Sequence, residues 1–345
     1  MTPSPRPEDT KPAAVAPSAP GGTARRLGWV TGVLLLGAVV LVVTHLGEER
    51  ELVRLIHEAQ PLWLLAAVAL QVLTYVCAAA VWQRALVHRG VAIRLLPLVP
   101  LGLVKLFTDQ VVPSAGVSGT LLVVRGLERR RVSRSDAVAA ILADLAGYYV
   151  AYLLATLAAL AVLWRHGTLS LVTLLPATAL CVLVVALPAA ILGLRRHAAR
   201  HPARWLERLP GVREVVAALR AAPDGPLVSP RVLAETVLLQ LAIFVLDALT
   251  LATTLRAVAS PLGFRFVFAS FVLASIVSTL AWVPGGVGTF DGSCVALLHL
   301  HGVSVEAALA ATLLLRGLTF WLPMIPGFPL ARREAAPPPP QSGHS

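Results

Sequence analysis

The sequence predicts an all-α, polytopic membrane protein, and three observations predict it. The chain is 57% apolar and only 14% charged, with mean hydropathy +0.77, which is outside the range of soluble globular domains. Its apolar residues gather in six runs, near 27–45, 62–82, 137–163, 169–194, 232–255 and 303–328. Each is long enough for a helix to cross roughly 30 Å of hydrocarbon. No alternating segments of the kind that build a membrane β-barrel occur.

The elements follow in order. Residues 1–24 are rich in Pro, Ala and polar groups and read as a disordered cytoplasmic tail. No signal-peptidase pattern follows the first run, so it is expected to be a retained span. The membrane domain is expected over 25–330, and 331–345, with four consecutive Pro, as a second cytoplasmic tail. The net charge of +11 does not indicate nucleic acid, because the basic residues flank apolar runs, as the positive-inside rule describes. Cys77, Cys181 and Cys294 all lie in apolar runs without CxxC spacing, and neither a disulfide nor a zinc site is expected. His299 and His301 read as a loop at the membrane edge, and no metal or other cofactor is expected.

Lys and Arg in short loops orient the chain. Arg25 and Arg26 precede the first run and place it inside; Arg84, Arg89 and Arg94 follow the second and are also inside. The loop 125–136 is basic as well, so 95–124 leaves the cytoplasmic side and returns to it. Broken by Pro97, Pro100 and Pro113, that region is expected to be a re-entrant hairpin. The loop 195–231, with eight Arg, is inside, and its RWLERLPGVREVVAALR stretch suits either an amphipathic surface helix or a solvated linker. The region 264–300 then starts and ends outside, at the cost of placing Arg256 and Arg265 there.

The two broken regions resemble each other. One reads PSAGVSG and then VSRSDAVAAIL; the other reads PGGVGTF and then VSVEAALAATL. A constant offset of 171 residues aligns Pro113 with Pro284, Val132 and Ser133 with Val303 and Ser304, and three later Ala pairs. Entry from opposite faces makes this an inverted repeat, a layout of many secondary transporters. Irregular backbone at membrane depth belongs where it is buried in protein or lines a water-filled cavity. Helix N-termini at such a break attract anions, and glycine lets the backbone approach a phosphate.

Ionisable residues inside the apolar regions are Lys105, Asp109, Asp144, Asp247, Asp291 and Arg316. Such residues usually face a bundle interior or a cavity. Lys105 and Asp109 are four apart and can pair on one helical face. Asp144 shares a face with Tyr148. Thr236, Gln240, Asp247, Thr250 and Thr254 make one polar stripe, expected to face the bundle. Arg316, halfway along the last run, needs a partner, either Asp291 or a lipid phosphate. GGVG is not a P-loop, since GxxxxGK[ST] is absent.

The stretch VPGGVGTFDG, followed by HGVSVEAALAATLLLRGLTFWLPMIPG, closely resembles the end of the transmembrane flippase domain of bacterial lysylphosphatidylglycerol synthases and their stand-alone relatives. The residues that carry the resemblance are Pro284, Gly285, Gly286, Gly288, Phe290, Asp291, Gly302, Val303 and Arg316, with a looser first-half match at Pro113, Gly116 and Arg125. It spans roughly residues 25–330. Many relatives carry P-x-x-x-G-E in the first half, whereas this chain reads PSAGVSG and lacks that Glu.

The resemblance implies a non-enzymatic lipid translocator in the cell membrane. Its substrate would be an anionic or aminoacylated phospholipid or a lipid-linked headgroup. No nucleic-acid partner is implied, and a homo-oligomer is compatible with such a chain. The lipid phosphate would sit near Arg316 and the PGGVG backbone, and Asp109, Asp247 and Asp291 would tune protonation or meet a cationic headgroup. Lys105, Asp144 and Gln240 complete the expected substrate-binding set. Two other readings stay open: a polyprenyl-phosphate-dependent membrane glycosyltransferase, and a scaffold for a lipid synthase.

Overall fold

The computed structural model describes residues 54, 58–111, 117–167, 173–182, 229–281 and 286–335. The expected first span, the N-terminal tail and most of the basic loop 195–231 lie outside them. The described residues form helices α1 (Pro61–Val87), α2 (Val99–Val111), α3 (Val117–Arg129), α4 (Arg134–Arg165), α5 (Thr173–Val182), α6 (Pro230–Ala257), α7 (Phe264–Leu280), α8 (Thr289–Leu300), α9 (Val305–Arg316) and α10 (Leu322–Ala335). A 3-10 turn at Leu96–Leu98 precedes α2, and a π-helical turn at Gly317–Trp321 joins α9 to α10.

Four helices among the described residues are long and apolar enough to cross a membrane: α1, α4, α6 and the continuous helix Val305–Glu334. Their starts are set locally. Pro61 and Pro230 open α1 and α6, where a missing N–H costs nothing. Ser133, Ser229 and Ser304 cap α4, α6 and α9 by accepting from the backbone N–H three residues on. The last helix continues to Ala335, into the stretch expected as a tail, because its end is held by side-chain contacts that its own composition does not announce.

Contacts at the helix ends give the topology. At one end His88 of α1 bonds Glu235 of α6 at 3.1 Å, and Arg89 bonds Asp136 of α4. Arg130, after α3, bonds the Pro97 carbonyl at 3.1 Å and Glu334 at 3.0 Å. At the other end the Gln60 N–H donates to the Ala257 carbonyl at 3.0 Å, and Arg256 lies over Trp63. The rings of His166, Phe266 and His301 pack in succession there, tilted against one another. Hairpin α2–α3 therefore opens at the first end, and hairpin α7–α8 at the second. The two broken elements enter from opposite ends, as the placement of Lys and Arg predicts. Arg256 and Arg265 sit at the second end, each over an aromatic ring, which helps a lone cation at an interface.

The repeat is also visible in the backbone. Each half-helix leads to the same joint. Leu127 and Leu298 accept from Val132 and Val303 at 3.1 and 3.2 Å. Arg131 and Gly302 both hold positive φ, 63° and 91°. A capping serine then starts the following helix. This is a Schellman-type stop followed by a side-chain-capped start.

Two apolar cores stack along α4 and α6. One gathers α1, the first hairpin and the start of α4 around Trp82, Leu86, Leu101 and Leu127. The other gathers the rest of α4 with α6 to α9 around Tyr152, Leu251, Leu273 and Ile276. Buried Ala137, Ala140, Ala143, Ala151, Ala155 and Ala159 line the inner face of α4 and let neighbouring helices approach closely. Outward, Leu65, Val72, Leu157, Leu238 and Ile325 are exposed, as a lipid-facing surface requires.

Candidate functional site

The second hairpin is built around an ion pair. Thr289 starts α8 after two glycines in left-handed conformation, Gly286 at φ 62° and Gly288 at φ 79°. The Gly288 N–H donates to Asp291 Oδ2 at 2.9 Å, so Asp291 caps its own helix from its first turn. Its other oxygen, Oδ1, accepts from Arg316 Nε at 2.8 Å. Arg316 Nη2 donates to the Gly286 carbonyl at 2.8 Å. The guanidinium lies 4.7 Å from the Phe290 ring centre and 5.6 Å from that of Phe320. Both side chains are 15% exposed. Arg316 thus holds the break of one element to the middle of another, with aromatic faces shielding the pair. At Gly286 an added Cβ would collide with the Ser278 hydroxyl, so the glycine permits both the turn and the close approach of α7.

The first hairpin reaches a similar arrangement by another route. Lys105 donates to Asp109 Oδ2 at 3.1 Å, the pairing its i, i+4 spacing predicts. Asp109 Oδ1 accepts from the Gly119 N–H at 3.1 Å, in the first turn of α3. A Cβ at Gly119 would collide with the Asp109 carboxylate, so close approach there requires glycine. In both hairpins a carboxylate binds a donor at the half-helix start and a base neutralises the carboxylate. The residues are not equivalent under the offset of the repeat: Asp109 belongs to the incoming half-helix, Asp291 to the outgoing one.

Between the hairpins, α1, α4 and α6 contribute polar groups to the interior. Asp144 accepts from Trp82 Nε1 at 2.9 Å and Gln240 Nε2 at 2.6 Å, and it lies within electrostatic range of Lys105. Asp247 accepts from Thr74 Oγ1 at 3.3 Å and is within hydrogen-bonding reach of Gln71. Tyr148 lies within electrostatic range of both Asp144 and Asp247. Tyr75 lies in the field of Asp247 and donates to the Leu318 carbonyl of the π turn at 3.2 Å. Polar groups in electrostatic range of one another thus extend from Lys105 through Asp144, Tyr148, Asp247 and Tyr75, and Tyr75 bonds the turn that follows Arg316. A π turn inside a helix is a frequent mark of a functional site.

The structure brings together Lys105, Asp109, Asp144, Gln240 and Asp247 along this line, and Gly286, Gly288, Asp291 and Arg316 at its far end. Arg125 is separate from these bonds and exposed on α3. Pro113, Gly116, Pro284 and Gly285 lie outside the described residues. Thr236, Gln240, Thr250 and Thr254 are buried, so the polar stripe of α6 faces the bundle. The histidines near the second end are used locally: His299 contacts the Val303 carbonyl at 2.9 Å and His301 that of Leu297 at 2.6 Å. Gln71, Thr74, Tyr75 and Trp82 also belong to this interior, although no motif in the sequence marks them. The first three are polar groups at helical spacing within one apolar run, the pattern that exposes the α6 stripe.

Fold and interior together define a polytopic helical membrane protein with two oppositely directed re-entrant hairpins and a charged interior. Residues 29–327 match the family described as the lysylphosphatidylglycerol synthase TM region, and the chain belongs to that family. No curated protein matches the chain.

Proposed function

We propose that the protein moves a phospholipid or lipid-linked headgroup between leaflets of the cell membrane, without catalysing a covalent reaction. The observation that carries this reading is the polar line between the two opposed hairpins. A headgroup needs such a path through the hydrocarbon, while its acyl chains stay among lipid tails. Membership of the synthase membrane-region family supports a lipid substrate. In this reading Lys105 and Arg316 supply positive charge for a lipid phosphate, and the end bearing Arg89, Arg129 and Arg130 faces the cytoplasm, with both chain termini. An anionic or aminoacylated phospholipid fits an interior that carries both signs of charge.

The test is headgroup movement in proteoliposomes. Purified protein is reconstituted with fluorescent phospholipids of several headgroup classes, and outer-leaflet signal is followed after an impermeant quencher is added. Accelerated movement of one class, lost in Arg316→Lys while the variant stays folded, is expected. Lysine keeps the charge but cannot bridge Asp291 and Gly286 together. Equal movement in wild type, variant and protein-free vesicles overturns the reading. Formation of a glycosidic product from a polyprenyl-phosphate donor would do the same in favour of an enzyme.

A further inference from the structure

We propose that Asp247, Gln71 and Thr74 form a proton-binding site in the middle of the bundle. The site goes beyond lipid movement, and its test uses no transport readout.

Asp247 differs from the other intramembrane carboxylates. Asp109 is paired with Lys105, and Asp291 with Arg316. Asp144 receives two donors and lies in the field of Lys105. Among the described residues Asp247 has only neutral partners, the Thr74 hydroxyl and the Gln71 amide. It is the eighteenth of 28 residues in α6, about 15 Å from the helix end at 1.5 Å per residue. A lone carboxylate at that depth is costly as an anion, and a bound cation removes the cost.

The second observation is an orphan. Gln71 is 3% exposed, and among the described residues its Oε1 has no hydrogen-bond partner. Gln71 and Thr74 are three apart on α1 and face Asp247 together. A buried acceptor without a donor is unusual and calls for one. A protonated Asp247 is that donor: its O–H serves Gln71 Oε1, while the amide N–H serves the second carboxyl oxygen. Thr74 completes the arrangement. Its single hydroxyl hydrogen faces both Asp247 at 3.3 Å and the Leu70 carbonyl at 3.2 Å, and can serve only one well. With a proton on Asp247 the Thr74 hydrogen is released to Leu70, so one proton satisfies the whole cluster.

The titratable groups facing Asp247 are Tyr75 of α1, itself within hydrogen-bonding reach of Gln71, and Tyr148 of α4, which is also in range of Asp144. Of the other helices on α6, α7 carries Arg265 at the second end, and α9 carries Glu306 there and Arg316, held by Asp291. On α6 itself Glu235 and Arg256 lie near opposite ends.

The experiment is infrared difference spectroscopy of the full chain in bilayers, titrated between acidic and alkaline pH. Wild type is expected to show a protonated carboxyl band that disappears as pH rises. Asp247→Asn, which preserves the shape and donors of the neutral acid, is expected to lose this band and stay folded at wild-type Tm or above. Asp144→Asn is expected to retain it. Persistence of the band in Asp247→Asn, or its loss in Asp144→Asn alone, overturns the proposal. The titration is repeated with sodium in place of potassium. An unchanged midpoint supports a proton as the occupant; a tenfold change in sodium that moves it by about one pH unit assigns the site to sodium and overturns it.

Discussion

Arg131 and Gly302 occupy one backbone position in two copies of the same joint, 171 residues apart, with φ of 63° and 91°. Glycine adopts this left-handed region freely, whereas a residue with a Cβ is strained there by about 1 kcal/mol or more. The copies therefore differ in stored strain. Arg131→Gly should raise stability by a few tenths to about 1 kcal/mol, the relief of strain less the extra chain entropy of glycine. Gly302→Ala has free space around its Cβ, so it should lose about 1 kcal/mol through backbone strain alone. Thermal unfolding in detergent checks both, and Tm shifts of opposite sign are expected.

The opposed entry of the hairpins has a direct consequence for labelling. Glu128 and His299 are equivalent under the repeat, and both are exposed. In a background lacking Cys77, Cys181 and Cys294, Glu128→Cys and His299→Cys should react with an impermeant thiol reagent from opposite sides of the membrane. Reaction from one side would contradict the inverted arrangement.

Removing one member of the Asp291–Arg316 pair should cost more than removing both. The pair is mostly buried, and a single deletion leaves an uncompensated charge, at about 3–5 kcal/mol. Asp291→Asn combined with Arg316→Gln leaves no net charge. A double-mutant cycle on unfolding free energy should therefore give a coupling of about 3 kcal/mol or more. Additive losses would show that the contact carries little energy.

Trp82 positions Asp144 through its indole N–H. Trp82→Phe removes the donor and also part of a buried ring, so it should cost at least the roughly 1.5–3 kcal/mol of a hydrogen bond to a charged group. A Tm within error of wild type would mean that Gln240 alone satisfies the carboxylate.

The end of the last helix is fastened to the first hairpin. Glu334 is 13% exposed and meets Arg130 at 3.0 Å and Arg129 at 3.9 Å. Arg129 also donates to the Arg333 carbonyl at 2.6 Å. Glu334→Ala should loosen residues 330–335, and hydrogen exchange should rise there and in α3, with little change in α6. Unchanged exchange in α3 would show that the two elements are not coupled.

Much of this was legible locally. The spans follow from unbroken apolar length, the first hairpin from prolines in a run with basic residues on both sides, and the second from glycine and proline in a run that the alternation of sides returns to where it began. The Lys105–Asp109 pair follows from helical spacing. The joint at Val132 and Val303 could be read because glycine is not its only signature: the Val-Ser that ends the turn and caps the next helix occurs in both copies. The continuation of the last helix to Ala335 was not legible, because the stretch from 331 reads as a proline-rich tail, and the contact that retains the helix comes from Arg129 and Arg130, some two hundred residues earlier.

The sequence by itself determined the class of the protein, the opposed hairpins, the register of their repeat and the need of Arg316 for an acidic partner. Each rests on periodicity, charge placement or the cost of a lone ion in lipid, which act over short stretches of chain. Tertiary structure decided which partner each buried group received. Asp144 and Asp247 share no local pattern: one belongs to α4 and is bonded to Trp82 and Gln240, and the other belongs to α6 and faces Thr74 from 173 residues away. Such pairings depend on how α1, α4 and α6 rotate against one another as their small and apolar faces pack, and no local pattern encodes that rotation.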